Sequence, residues 1–234
     1  VARSAERSLD LQYYYWKDDL TGGLLARELI VAADRGVRVR LLLDDINAKG
    51  DDSTYLALDS HPNIEIRLFN PSRSRASALR RGIEMALRVF SVTRRMHNKS
   101  WIADGRMAMV GGRNIGDAYF DAAEMSNFRD MDLVLLGPAV QQAETVFDAY
   151  WNSSVVLPIR SLWVFRKSNL VKKRGHLEAL VSSDGAWPYL QRLQEEKNTE
   201  SLLNEKQSIH WTASARIVSD PVEKAISAAR ENWL

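Results

Sequence analysis

The sequence contains no cysteine, which excludes disulfides and thiolate metal sites while leaving the redox compartment open. It has no run of 18 apolar residues, so no transmembrane helix is expected within it. It has little net charge. Against 30 Asp and Glu stand 32 Lys and Arg, a balance of +2 that does not mark a dedicated nucleic-acid binder. No signal peptide is visible after Val1, and no short-period repeat. What is present suits a folded protein: 45% hydrophobic and 26% charged residues in 234, enough to bury a sizeable core. The charge is uneven in one place. Between Arg73 and Arg106 nine Lys or Arg face two acids, Glu84 and Asp104. A solvated arginine-rich helix and attraction to a phosphate-bearing partner both account for that segment.

Apolar periodicity predicts a rhythm of strand, helix, strand. Leu9 to Trp16 (LDLQYYYW), Val37 to Asp44 (VRVRLLLD) and Ile64 to Phe69 (IEIRLF) read as strands. Leu24 to Arg35 and Ser53 to Ser60 read as the helices between them, with Gly36 as a C-cap. That alternation predicts an α/β fold with parallel strands. A helix is expected over 76–90, a strand from Met131 to Leu136, and a helix from Gly137-Pro138 to about Trp151. Residues 158–207 suit a connector with helical pieces, residues 208–218 a further strand, and Val222 to Trp233 a helix.

One stretch concentrates chemistry: RMHNKSWIADGRMAMVGGRNIGD, Arg95 to Asp117. Asp104-Gly105 between two apolar runs predicts a two-residue hairpin turn. Ala103 would then face Arg106, Lys99 would face Val110, and His97 would face Gly112. On that register His97, Lys99, Gly112 and Asn114 project from one face, with Asp104 at the distant turn. A neutral imidazole can attack phosphorus. A neighbouring lysine neutralises the phosphate oxygens, an asparagine amide adds a hydrogen bond, and a glycine leaves room for substrate.

His97-x-Lys99-x4-Asp104-x6-Gly111-Gly112-x-Asn114 resembles the motif of the phospholipase D superfamily without a gap. "AADRGVRVRLLLDD", "HPNIEIRLFNP" and "FRDMDLVLLGP" are similar to segments of bacterial cardiolipin synthases and related phosphatidyltransferases. The resemblance covers roughly residues 8 to 160. It implies a phospholipase D-like mixed sheet flanked by helices on both faces, and no metal or other cofactor. It implies that His97 is the nucleophile or the general acid, and that Lys99, Asn114 and Gly112 surround the phosphate. Asp130 would orient the histidine, its alternative being a salt bridge with Arg129 or Arg113; Asp104 and Gly111 would be structural. A phospholipid is the implied substrate, at a bacterial membrane surface on the inner-membrane periphery. Contact of that surface with Trp163 to Phe165 and Lys172 to Arg174 is weighed against a merely solvated basic face.

The family's active site uses two such motifs. The other histidines, His61, His176 and His210, are followed two residues on by Asn63, Glu178 and Thr212, so a second His-x-Lys is missing. Residues 1–157 are therefore read as one catalytic half, 158–207 as the connector and 208–234 as the opening of a second half. The complementary site would come from that second half or from a homodimer mate. Phosphatidyl transfer to an alcohol is the leading reading. Hydrolysis of phospholipids, a nucleic-acid phosphodiesterase and a non-enzymatic scaffold are the alternatives.

Overall fold

A computed structural model describes residues 1–48, 50–72, 95–163, 169–195 and 210–223. The helix expected over 76–90, most of the arginine-rich segment, and all but the start of the helix expected from Val222 lie outside those residues.

The first half winds as anticipated. β1 (Ser8–Tyr13), β2 (Arg38–Asp44) and β3 (Ile64–Phe69) pair in parallel. Between them run α1 (Leu20–Asp34), the short α2 (Asp45–Ala48) and α3 (Asp52–Asp59). α1 starts on Asp19, whose carboxylate accepts from Gly22 N at 3.1 Å, and stops before Gly36 at φ 95°. β4 (Ser100–Ala103) then adds antiparallel to the free side of β1, followed by β5 (Met107–Gly111) and β6 (Asp132–Leu136). β7 (Val156–Pro158) closes the far side against β3. The described strands make one mixed sheet of order β6-β5-β4-β1-β2-β3-β7.

Strand alternation sorts the core onto both faces. In β2, Val39, Leu41 and Leu43 join Leu9, Leu11 and Ile66 in the cluster that holds Leu29 and Ile30 of α1. Leu42 points the other way, into a cluster with Ile102 and Ala108 that α4 (Ala139–Trp151) covers with Val140, Ala143 and Phe147. Phe147 is fully buried; truncating it to alanine would cost about 3–5 kcal/mol.

After α5 (Ile159–Leu162), helix α6 (Leu170–Val181) lies along α1, and α7 (Trp187–Glu195) follows. Lys173 pairs with Asp18 at 2.8 Å and Arg174 with Asp34 at 2.7 Å. Two of the three basic residues considered for membrane contact are thus engaged within the fold. Residues 164–168 lie outside the described part. The strand expected over 208–218 does not form in its described part. Residues 210–221 carry no helix or strand. Gln142 of α4 accepts from Ile217 N at 2.9 Å and donates to Ala215 O at 3.0 Å, so helix side chains satisfy these backbone groups instead of a neighbouring strand.

The hairpin also departs from expectation. Asp104 (φ 55°) and Gly105 (φ 66°) form the turn, and Arg106 N donates to Ala103 O at 2.9 Å. Yet Ala103 stands opposite Met107 and Ser100 opposite Val110. Arg106 is an extra residue, and every pairing moves by one, so the two-residue register is wrong.

Candidate active site

The chain enters the site from β2. Asp44, the last residue of that strand, is fully buried and accepts from Ile46 N and Met96 N, both at 3.0 Å. Arg95 reaches the same carboxylate at 3.4 Å. Burial pushes its pKa up to about 6 against the pull of Arg95 and those N–H groups. The backbone before His97 is therefore tied to the centre of the sheet. Tyr14, just past β1, holds the imidazole from the side, with ring centroids 4.9 Å apart.

His97 is exposed and Lys99 is buried. Lys99 Nζ donates to His97 O at 2.7 Å and lies 2.9 Å from His97 Nδ1, while standing 5.6 Å above the Tyr14 ring. Burial pulls the lysine down to about 8, with Asp130 opposing. Burial, then the charge of Lys99, lowers the pKa of His97, and Asp220 opposes. An ammonium has donors only, so Nδ1 facing it presents a lone pair and the neutral ring carries its proton on Nε2. In this arrangement Nε2–H can hydrogen-bond a leaving oxygen, and it can pass on its proton only as Nδ1 gains one, because an imidazolate would otherwise form. Attack by Nε2 requires that proton to move to Nδ1, and an acceptor to replace Lys99 there.

The remaining motif residues separate. Asn114 is buried, with its Oδ1 accepting from Tyr15 N at 3.1 Å and its Nδ2 donating to the Tyr119 hydroxyl at 3.2 Å. It lines the same cavity as His97, a space of about 890 Å³ walled also by Tyr14, Tyr15, Asn47 and Tyr119. Gly112 does not leave space for substrate, because an added Cβ would lie 2.6 Å from Asp130 Oδ1. At Gly111 a Cβ would meet Met131 O at 2.5 Å, as well as Asp132 Oδ1. Asp130 sits beside Gly112 and acts on Lys99; among the described residues no hydrogen bond joins it to His97. Arg113 pairs with Asp132 at 3.2 Å and gives Asp130 only a contact to its backbone oxygen. Asp104 lies at the turn. Its carboxylate accepts from the N–H groups of Glu6, Arg7 and Ser8 at 3.0, 2.7 and 2.8 Å, far along the sheet from His97.

Two residues of this site escaped the sequence reading. Tyr14 was visible only as part of an aromatic strand. Asp44 carried a fainter sign, an acid ending the run LLL, where a buried carboxylate needs donors from another segment. No group of three or more His, Asp or Glu placed to hold a metal ion occurs among the described residues. Among those residues, too, no helix is long and apolar enough to cross a membrane.

Comparison with known proteins agrees with this architecture. Cardiolipin synthase C of Escherichia coli is 39% identical over 241 aligned residues, covering all of this chain and 49% of that protein. A cardiolipin synthase of Oceanobacillus iheyensis is 30% identical over 151 residues, 64% of this chain and 29% of that one. The chain thus spans about half, or less, of the length of these relatives. Among solved structures, phosphatidylserine synthase from Haemophilus influenzae shares the fold, with a TM-score of 0.52 and 18% identity over 79% of this chain and 40% of that one. The family model described as "Cardiolipin synthase, PLD-like domain" matches residues 2–151, and the chain belongs to that family.

Proposed function

We propose that this chain contributes one histidine of a phosphatidyltransferase that moves a phosphatidyl group through a phosphohistidine to an alcohol. The observation that carries this reading is the His97–Lys99 contact at 2.9 Å, at the mouth of a large cavity in a chain of this family. The reaction has two steps. A histidine nitrogen forms a bond to phosphorus as the bond to the leaving alcohol oxygen breaks, and that oxygen takes a proton from the second histidine. An acceptor alcohol then attacks the phosphorus, returns a proton to the second histidine and frees the first. Lys99 neutralises the phosphate oxygens, and Asn114 offers them its Nδ2–H in place of Tyr119. His97 serves as the acid if Nδ1 takes up a proton as Nε2–H goes to the leaving oxygen. It becomes the nucleophile if a carboxylate brought by a second unit takes Nδ1–H.

Asp130 acts through Lys99 by keeping the ammonium charged, and Asp104 and Gly111 serve the hairpin. The second histidine comes from another half in a longer protein or from a second copy of this chain. A phospholipid substrate puts the site at a membrane surface, on the periphery of a bacterial inner membrane. With water as acceptor the same steps are phospholipase D hydrolysis.

The test is incubation with phosphatidylglycerol, with and without phosphatidylethanolamine, followed by lipid analysis. A cardiolipin-type product that disappears in a folded His97→Ala variant is expected. Unchanged turnover in that variant refutes the assignment of His97. Turnover of a nucleic acid instead, weakening steeply with salt, would favour the phosphodiesterase alternative.

A further inference from the structure

His97 stands between two cavities of opposite character. The one described above carries the acids Asp19, Asp117 and Glu124 against the cation Lys17 in its wall, with Tyr14, Tyr15 and Tyr119 also lining it. The other, about 600 Å³, begins at His97 and Lys99 and runs between β5, β6, α4 and the segment Ala215–Ser219. Its body is apolar: Val110, Leu133, Leu135, Ala143, Val146 and Val218. The charged side chains in its lining are cationic, Lys99 at the head and Arg216 on the rim, and no lining residue is acidic. Leu133 and Val218 leave 54% and 63% of their surface exposed, so apolar area here awaits a cover.

A groove with a cationic head and an apolar body is complementary to an anionic amphiphile. The three carboxylates on the opposite side outnumber Lys17, which disfavours a second phosphate there, and with the tyrosines they suit a hydroxyl-bearing molecule. The geometry points to a division of labour: the groove between β6, α4 and residues 215–219 takes the acyl portion of the donor lipid whose phosphate reaches His97 and Lys99. The tyrosine-lined cavity is left to the acceptor alcohol. This inference rests on the phosphatidyl-transfer reading and deepens it.

Binding is read apart from turnover. His97→Ala protein is titrated with phosphatidylglycerols of four to eight carbons per chain, below their micelle concentrations. Kd should fall about two- to fourfold per methylene that enters the groove. Adding Leu133→Asp and Val218→Asp, both at exposed positions, should flatten that dependence. In parallel, phosphatidylglycerol bearing a photoreactive group at mid-chain should label β6 and residues 215–219. Affinity independent of chain length, an unaltered slope in the double aspartate variant, or labelling confined to the Tyr119 cavity overturns the inference. So does protection of the groove by a second copy of the chain, seen as a dimer that the aspartates dissociate and that excludes lipid. Failure of the parent reading looks different: the chain-length slope and labelling persist, but the unsubstituted protein gives no His97-dependent product.

Discussion

Lys99 should cost the fold stability, and replacing it should reveal how much. A lysine held at about 8 rather than 10.5 is charged at pH 7 in a place that disfavours the charge. At about 1.4 kcal/mol per pH unit, that gap corresponds to about 3 kcal/mol. Lys99→Met keeps the length of the side chain and removes the charge. It also forfeits the bond to His97 O, which water can replace because His97 is exposed. Urea unfolding at pH 7 should therefore show the variant more stable by about 1–3 kcal/mol, and catalytically dead. The pH dependence makes the test sharp. Between about 8 and 10.5 the unfolded chain holds a proton that the folded protein has released, so wild-type stability rises with pH over that window. Lys99→Met lacks that rise, and its advantage should shrink towards pH 10. A variant less stable than wild type at pH 7, or an advantage constant from pH 7 to 10, refutes the reasoning.

Other substitutions separate structural from chemical roles. Asp104→Ala should lose about 3–4 kcal/mol in urea unfolding, because three backbone N–H donors lose a charged acceptor. Burial pushes the Asp104 carboxyl up, but those donors outweigh it and hold the pKa low, so the contribution is present above the unfolded carboxyl's pKa and disappears as pH falls through the folded one. Asp130→Asn should move the alkaline limb of activity below the value of about 8 that Lys99 sets, whereas a fall in kcat with an unmoved limb would mean that Asp130 orients a histidine instead. Gly111→Ala should destabilise by about 2 kcal/mol or more, since the obstacle includes the Met131 backbone; Gly112→Ala should cost less, because the Asp130 side chain can move.

Much of the architecture is legible in periodicity. IEIRLF alternates as a half-buried strand must, and its bounds, Ile64 to Phe69, are those of β3. The motif residues themselves stood out by spacing, and His97 and Lys99 do meet. What stayed hidden depends on single-residue offsets and on distant partners. One extra residue, Arg106, reverses which side each member of the hairpin presents, and no propensity distinguishes a two-residue turn at Asp-Gly from one that carries a bulge. Residues 210–220 have strand-like composition, but their hydrogen bonds go to Gln142 and Tyr150 on a helix about 70 positions earlier. Asp130 was readable as an acid near the motif, yet the group it acts on is set by the packing of β6 against β5.

The order of the strands has a consequence for how the protein is made. β1 lies in the middle of the sheet, yet one of its neighbours, β4, is synthesised some 90 residues later. The units β1-α1-β2-α3-β3 and β4-β5-β6 each pair mainly with their own sequence neighbours, so each can form locally before a long chain closure joins them. That seam passes through the candidate site. Tyr14 and Asp44 arrive with the first unit, His97 and Lys99 with the second. Until the seam closes, Lys99 is an ordinary hydrated lysine and His97 an untethered imidazole. The contacts that set the proposed site therefore exist only once β4 has docked on β1.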